Sequence, residues 1–108
     1  MGRKKIDTIT ITDDLIENER ARQEMLWGVQ NHDPITYMSI LIEEIGEFAK
    51  EANDLRFPKG THSITDDIAI EERGKQRLIA EAIQVAAVAK SLVECLLRDK
   101  WNWTGGKR

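Results

Sequence analysis

The sequence predicts an all-α protein, an antiparallel helical bundle in a single domain. Three observations carry that expectation. Apolar residues recur at spacings of three and four over two long stretches, the period of a helix face. Three segments read as helix starts: Thr12-Asp13-Asp14, Asp33-Pro34 and Thr65-Asp66-Asp67. The 108 residues hold two prolines and seven glycines, and most of these breakers fall near expected helix ends or loops.

Residues 1–11 read as a polar arm in which Ile6, Ile9 and Ile11 alternate with Asp and Thr. That pattern fits a short strand or a flexible, disordered arm. Thr12 then reads as an N-cap with Asp13 and Asp14 in the first turn, where carboxylates suit the helix dipole. The first helix is expected to run to about Trp27, with Leu15, Ile16, Met25 and Leu26 as core candidates. Gly28 and Gln30-Asn31-His32 break it.

Asp33 as N-cap and Pro34 at the first helical position start the second helix. Its apolar face is Met38, Leu41, Ile42, Ile45, Phe48, Ala49, Ala52 and Leu55. Phe57-Pro58-Lys59-Gly60 closes it, and residues 58–65 read as a loop. Thr65-Asp66-Asp67 caps a long third helix, expected to start weakly and to be interrupted near Gly74. From Leu78 to Leu97 its apolar face is wider than one partner helix covers. Ala86, Ala87 and Ala89 allow close helix approach. Burial on two sides, and so a bundle completed by oligomerisation, is the expectation. Residues 102–108 read as a flexible tail.

Sixteen Lys+Arg against 19 Asp+Glu give a net charge of −3, which argues against a general nucleic-acid binder. Cys95 is the single cysteine, so no intrachain disulfide forms, and a reducing, cytoplasmic setting is expected. It reads as a buried structural thiol, since no histidine lies near it in sequence. The start Met1-Gly2-Arg3-Lys4-Lys5 is basic but no apolar stretch follows, so no secretory leader is expected. The apolar run 78–97 carries Glu81, Lys90 and Glu94, which argues for a packed helix and against a membrane span.

The residues with most chemistry are Glu43, Glu44 and Glu47, spaced E-E-x-x-E on the second helix. Glu43 and Glu47 stand at i,i+4, and Glu44 and Glu47 at i,i+3, so like charges crowd one helix edge. Glu81 lies on the third helix beside its apolar face, with Gln84 one turn on. If the two helices pack antiparallel, Glu44 and Glu47 face Glu81. Three carboxylates and an amide oxygen then suit Mg²⁺, which takes oxygen ligands and keeps waters that phosphate oxygens displace. The alternative is a solvated Glu-rich edge. A di-iron carboxylate site wants Glu-x-x-His pairs, and neither His32 nor His62 has a glutamate three residues before it.

Trp27-Gly28-x-Gln30-x-His32, then Ile40-Leu41-Ile42-Glu43-Glu44-Ile45-Gly46-Glu47, and later Glu81-Ala82-Ile83-Gln84 resemble the MazG-like all-α nucleotide pyrophosphohydrolases over about residues 20–97. The resemblance implies a bundle of the all-α nucleoside triphosphate pyrophosphatase type, as a homodimer or homotetramer. It implies Mg²⁺-dependent (Mn²⁺ possible) cleavage of a nucleoside triphosphate between its α and β phosphates. Glu44, Glu47 and Glu81 match the family's metal ligands, and Glu43 the remaining motif carboxylate, which orients or deprotonates the attacking water. Gln84 stands where the family has its final aspartate, which leaves a weak fourth ligand. The gap between Glu47 and Glu81 is also longer than usual. A catalytically weak or inactive nucleotide-binding or structural protein is therefore the alternative. Trp27 and His32 are candidates for base or sugar. Lys50, Arg56 and Lys59 are candidates for phosphates, against the plainer role of solvated surface charge. Arg77, at i−4 from Glu81, is a candidate ion-pair partner for it.

Overall fold

The computed structural model describes residues 7–60 and 63–99. They form three helices: α1 (Thr8–Trp27), α2 (Pro34–Arg56) and α3 (Ile64–Arg98). No strand occurs among the described residues. The parts of the expected arm and tail at residues 1–6 and 102–108 lie outside them.

α1 begins a turn earlier than Thr12-Asp13-Asp14 suggests. Asp7 is the N-cap: its carboxylate accepts from Ile9 N at 2.9 Å and from Thr10 Oγ1 at 2.6 Å. Residues 8–11, expected in the arm, are the first turn of the helix. Thr12 Oγ1 donates to the Thr8 carbonyl instead of capping. Asp is the stronger N-cap, and one capped turn outweighs the weak strand preference of alternating Ile and Thr. At the far end Gly28, with φ of 72°, donates its N–H to the Glu24 carbonyl.

α2 starts at the expected place. Asp33 accepts from Ile35 N and Thr36 N at 2.9 and 3.0 Å, and Pro34 opens the helix. The Thr36 hydroxyl and amide hold the Asp33 carboxyl below its usual range. α3 is capped by Ser63, two residues before the expected Thr65. Ser63 Oγ accepts from Asp66 N, and Asp66 Oδ2 accepts from Ser63 N, a reciprocal capping box. Nor is α3 interrupted at Gly74, which is buried inside one 35-residue helix. A Cβ there would sit 2.6 Å from Leu55 Cδ1, so this glycine serves close approach of α2 and not a helix break.

The cross-helix contacts fix the packing. From one end to the other, Leu55 meets Gly74, Glu51 meets Arg77 at 2.9 Å, and Tyr37 meets Ser91 at 2.9 Å. As residue numbers fall along α2 they rise along α3, so the two helices are antiparallel. α1 runs parallel to α3, tied to it by the ion pairs Glu17–Lys90 and Arg20–Glu94. α1 and α2 do not pack on each other directly.

The core is small. Tyr37, Ala87, Val88 and Cys95 are buried, flanked by Ile40, Leu41 and Leu92. Cys95 is thus buried as expected, its thiol against the His32 carbonyl. Leu15, Met25 and Leu26, expected in the core, are exposed, Met25 by 89%, and Ile16 is half-buried. The inner side of α1 is instead polar, with Arg20 buried against Glu94. The molecule measures 59 × 46 × 20 Å. Its radius of gyration is 18.1 Å, against about 13 Å for a compact domain of this length. No described helix is long and apolar enough to cross a membrane.

Candidate functional site

Antiparallel pairing brings Glu81 opposite the turn that carries Glu44 and Glu47. One carboxylate oxygen from each lies within 4.8 Å of the others. Glu44 and Glu81 are half-buried, and Glu47 is exposed. Glu44 Oε2 and Glu81 Oε2 are buried with no hydrogen-bond partner. Such atoms ordinarily find a partner, because an unmet buried acceptor costs about 1–3 kcal/mol. Burial pushes the Glu44 carboxyl up from its usual range, and Glu47, Glu81, Glu43 and Glu19 push it further. Burial also raises Glu81, with Glu47 and Glu51 adding to the effect.

A hard divalent cation fits this donor set. The three groups are carboxylates, two oxygens lack a partner, and no imidazole or thiolate belongs to the cluster. Glu43 is exposed and outside the cluster. Gln84 lies one helical turn from Glu81 and lines a neighbouring cavity together with Glu44.

That cavity, of about 230 Å³, opens between the three helices. α1 gives it Arg22, Gln23 and Trp27, and the α1–α2 connection gives Gln30 and His32. Tyr37, Ile40 and Glu44 come from α2, and Gln84, Val88 and Ser91 from α3. Tyr37 and His32 meet edge to face, with ring centroids 5.2 Å apart. The Tyr37 hydroxyl donates to the Gln30 carbonyl at 3.0 Å and pairs with Ser91 Oγ. An aromatic and amide wall beside a carboxylate cluster can hold a flat ring and a charged group together.

Of the residues singled out from the sequence, the fold therefore gathers Glu44, Glu47 and Glu81 in one place, with Gln84, Trp27 and His32 on the adjoining cavity wall. Lys50 and Lys59 do not line it. Lys59 follows the end of α2, and Arg56 at that end is about 18 Å along the helix from Glu44, at 1.5 Å per residue. Arg56 lies over the Phe57 ring. Arg77 does not pair with Glu81. Its guanidinium donates to Glu51 across the α2–α3 groove, one turn from the cluster. The cavity also takes in Arg22, Gln23, Tyr37 and Ser91, which no sequence pattern singles out for the site, and Gln30, which stands in the Trp27–His32 motif without an assigned role. The E-E-x-x-E pattern has no counterpart that would mark residues on α1, whose place depends on its packing against α3.

Comparison of the chain with protein-family models, curated proteins and solved structures found no match.

Proposed function

We propose that this chain is a Mg²⁺-dependent nucleoside triphosphate pyrophosphohydrolase of the MazG-like kind. The observation that supports it most is the pair of buried, unpartnered oxygens on Glu44 and Glu81, gathered with Glu47 beside an aromatic-lined cavity. Glu44, Glu47 and Glu81 hold the ion, with Mn²⁺ able to substitute and Gln84 as a weak fourth donor. When bound, the ion offsets polyphosphate charge and polarises the phosphoryl group. Trp27 and His32 form the wall against which a base or sugar packs, with the buried Tyr37 ring backing His32. Glu43, outside the ion set, is the carboxylate left to orient the attacking water or take its proton. Water cleaves the anhydride between the α and β phosphates, giving a nucleoside monophosphate and pyrophosphate.

The same reading takes the working form to be a cytoplasmic homodimer or homotetramer. Its support is the flat shape and the apolar groove formed by Ile45, Phe48, Ala82 and Val85, which shares no residue with the cavity. The direct test is pyrophosphate release from a panel of NTPs and dNTPs with Mg²⁺ or Mn²⁺. Turnover that disappears in Glu44→Gln supports the reading, and turnover of no nucleotide in the panel rejects it. Gln84 favours a second reading, a protein that binds nucleotides without hydrolysing them. Calorimetry showing binding without turnover, unchanged by Gln84→Asp, selects that one.

A further inference from the structure

We infer that Arg22 is the phosphate-binding cation of this site, and that Glu19 holds it in place until a nucleotide arrives. The inference rests on the pyrophosphohydrolase reading and adds a residue to it.

A nucleoside triphosphate brings several negative charges toward Glu44, Glu47 and Glu81. A bound divalent ion offsets part of that repulsion, and a neighbouring side-chain cation is needed for more. Among the described residues that line the cavity, Arg22 is the one Lys or Arg. Arg22 and Gln84 also share the adjoining groove between α1 and α3. Arg22 thus borders the passage that contains Gln84, one turn from Glu81, while Glu44 lies on the wall of the same cavity. A guanidinium fork matches a pair of phosphate oxygens in a way that an ammonium does not.

The present partner of Arg22 is suited to release. Its Nε and Nη2 donate to the two oxygens of Glu19 at 2.8 and 2.7 Å. The pair lies at i,i+3 on one helix, and the Arg22 side chain is 51% exposed. Glu19 is only 13% exposed, but the guanidinium itself faces solvent on the cavity side, where a phosphate with more than one negative charge competes for the fork. Gln23 Nε2 also donates to Glu19, at 3.1 Å. When Arg22 turns to a phosphate, Glu19 keeps that hydrogen bond.

The test is steady-state kinetics on the nucleotide found in the hydrolysis panel, at saturating Mg²⁺, for the full chain and its Arg22→Ala, Arg22→Lys and Glu19→Gln variants. Arg22→Ala is expected to raise KM by about tenfold or more with a smaller change in kcat, the loss of one charge-assisted contact. Arg22→Lys recovers part of the affinity, and Glu19→Gln lowers KM by freeing the fork. Inhibition by inorganic tripolyphosphate, which has no base or sugar, weakens in parallel with KM in Arg22→Ala. The melting temperature of Arg22→Ala is expected to fall by a few degrees, because Glu19, 13% exposed, loses its cation, whereas Arg22→Lys keeps one there and separates binding from folding. If the native protein hydrolyses nucleotides but Arg22→Ala leaves KM and tripolyphosphate inhibition unchanged, the inference fails and the reading stands. A Glu19→Gln variant with raised KM overturns the holding role of Glu19. Absence of any turnover by the native protein overturns the reading, and the inference with it.

Discussion

Tyr37 and Ser91 share a hydrogen bond of 2.9 Å at the end of the α2–α3 interface next to the α1–α2 connection. The same phenol donates to the Gln30 carbonyl, so one side chain ties the α1–α2 connection, α2 and α3 together. It is 1% exposed, and burial pushes its pKa up, which keeps the phenol protonated at neutral pH. Tyr37→Phe preserves the ring, takes from Ser91 Oγ its partner across the interface, and leaves the Gln30 carbonyl with Arg98 Nη2. Denaturant unfolding is expected to show a loss of about 1–3 kcal/mol. Because the two groups share one bond, Tyr37→Phe with Ser91→Ala should lose less than the two single losses added. Additive losses would mean that the pair is not coupled.

Gly74 and Leu55 give a second check on the same interface. In an open helix, Gly→Ala gains about 1 kcal/mol from backbone propensity. Here the new methyl meets Leu55 Cδ1 at 2.6 Å, with Cγ and Cδ2 at 3.2 Å. Leu55 must shift, which offsets the gain, so Gly74→Ala in the native background is expected to be near neutral. In a Leu55→Ala background the obstruction is gone, and the same change should recover about 0.5–1 kcal/mol. Equal effects in the two backgrounds would refute the close-approach role.

The charge cluster sets a pH dependence whose sign can be worked out. Burial, then Glu47, Glu81 and other neighbours, raise the folded-state pKa of Glu44 above that of the unfolded chain. The folded state therefore binds the proton more tightly, and the ionised carboxylate weakens the fold. Stability from this group is gained as pH falls through the raised folded-state pKa, and the gain is complete below the ordinary carboxylate value. Without divalent ions, Glu44→Gln is expected to melt above the native protein at neutral pH. That lead shrinks as pH is lowered toward about 4, where native Glu44 becomes protonated. Thermal melts in chelator across this range provide the measurement. A Gln variant that is no more stable at neutral pH contradicts the argument.

The exposed apolar residues lead to a test of assembly. Ile45 is 51% exposed, and it forms a groove with Phe48, Ala82 and Val85. On the proposed reading, sedimentation of the native chain gives a dimer or tetramer. A charge at Ile45 or Val85 then shifts it toward monomer with loss of stability, since a desolvated charge in an apolar contact is strongly disfavoured. A native protein that sediments as a stable monomer removes the assembly from the proposal.

Much of the α2–α3 pair was legible in the sequence because its signals are local. Asp33-Pro34 marks a start whatever surrounds it, and the spacing of Glu44 and Glu47 fixes their shared helix edge. Their meeting with Glu81 needed one further condition, antiparallel packing, which the short connection between the helices favours. The starts of α1 and α3 were misplaced where two caps compete: Asp7 prevails over Thr12, and Ser63 over Thr65. Gly74 reads alike as a helix breaker and as a contact glycine, and Leu55 decides between them. Arg22 and Ser91 carried no signal, because their place on the cavity depends on how α1, α2 and α3 come together.

The carboxylate set makes its own prediction about ions. A cation that binds the folded state and not the unfolded one stabilises by mass action, by roughly 1.4 kcal/mol at ten times its dissociation constant. Millimolar Mg²⁺ or Mn²⁺ is therefore expected to raise the melting temperature of the native chain by several degrees. Glu44→Gln and Glu81→Gln remove oxygens that the ion would partner, and each should abolish the shift. Glu43 is outside the cluster, so Glu43→Gln should keep the shift while lowering any turnover. Gln84→Asp adds a fourth anion beside the cavity and should increase the shift at a given ion concentration. A shift that survives Glu81→Gln, or one that vanishes in Glu43→Gln, would show that the ion is held by a different set of residues.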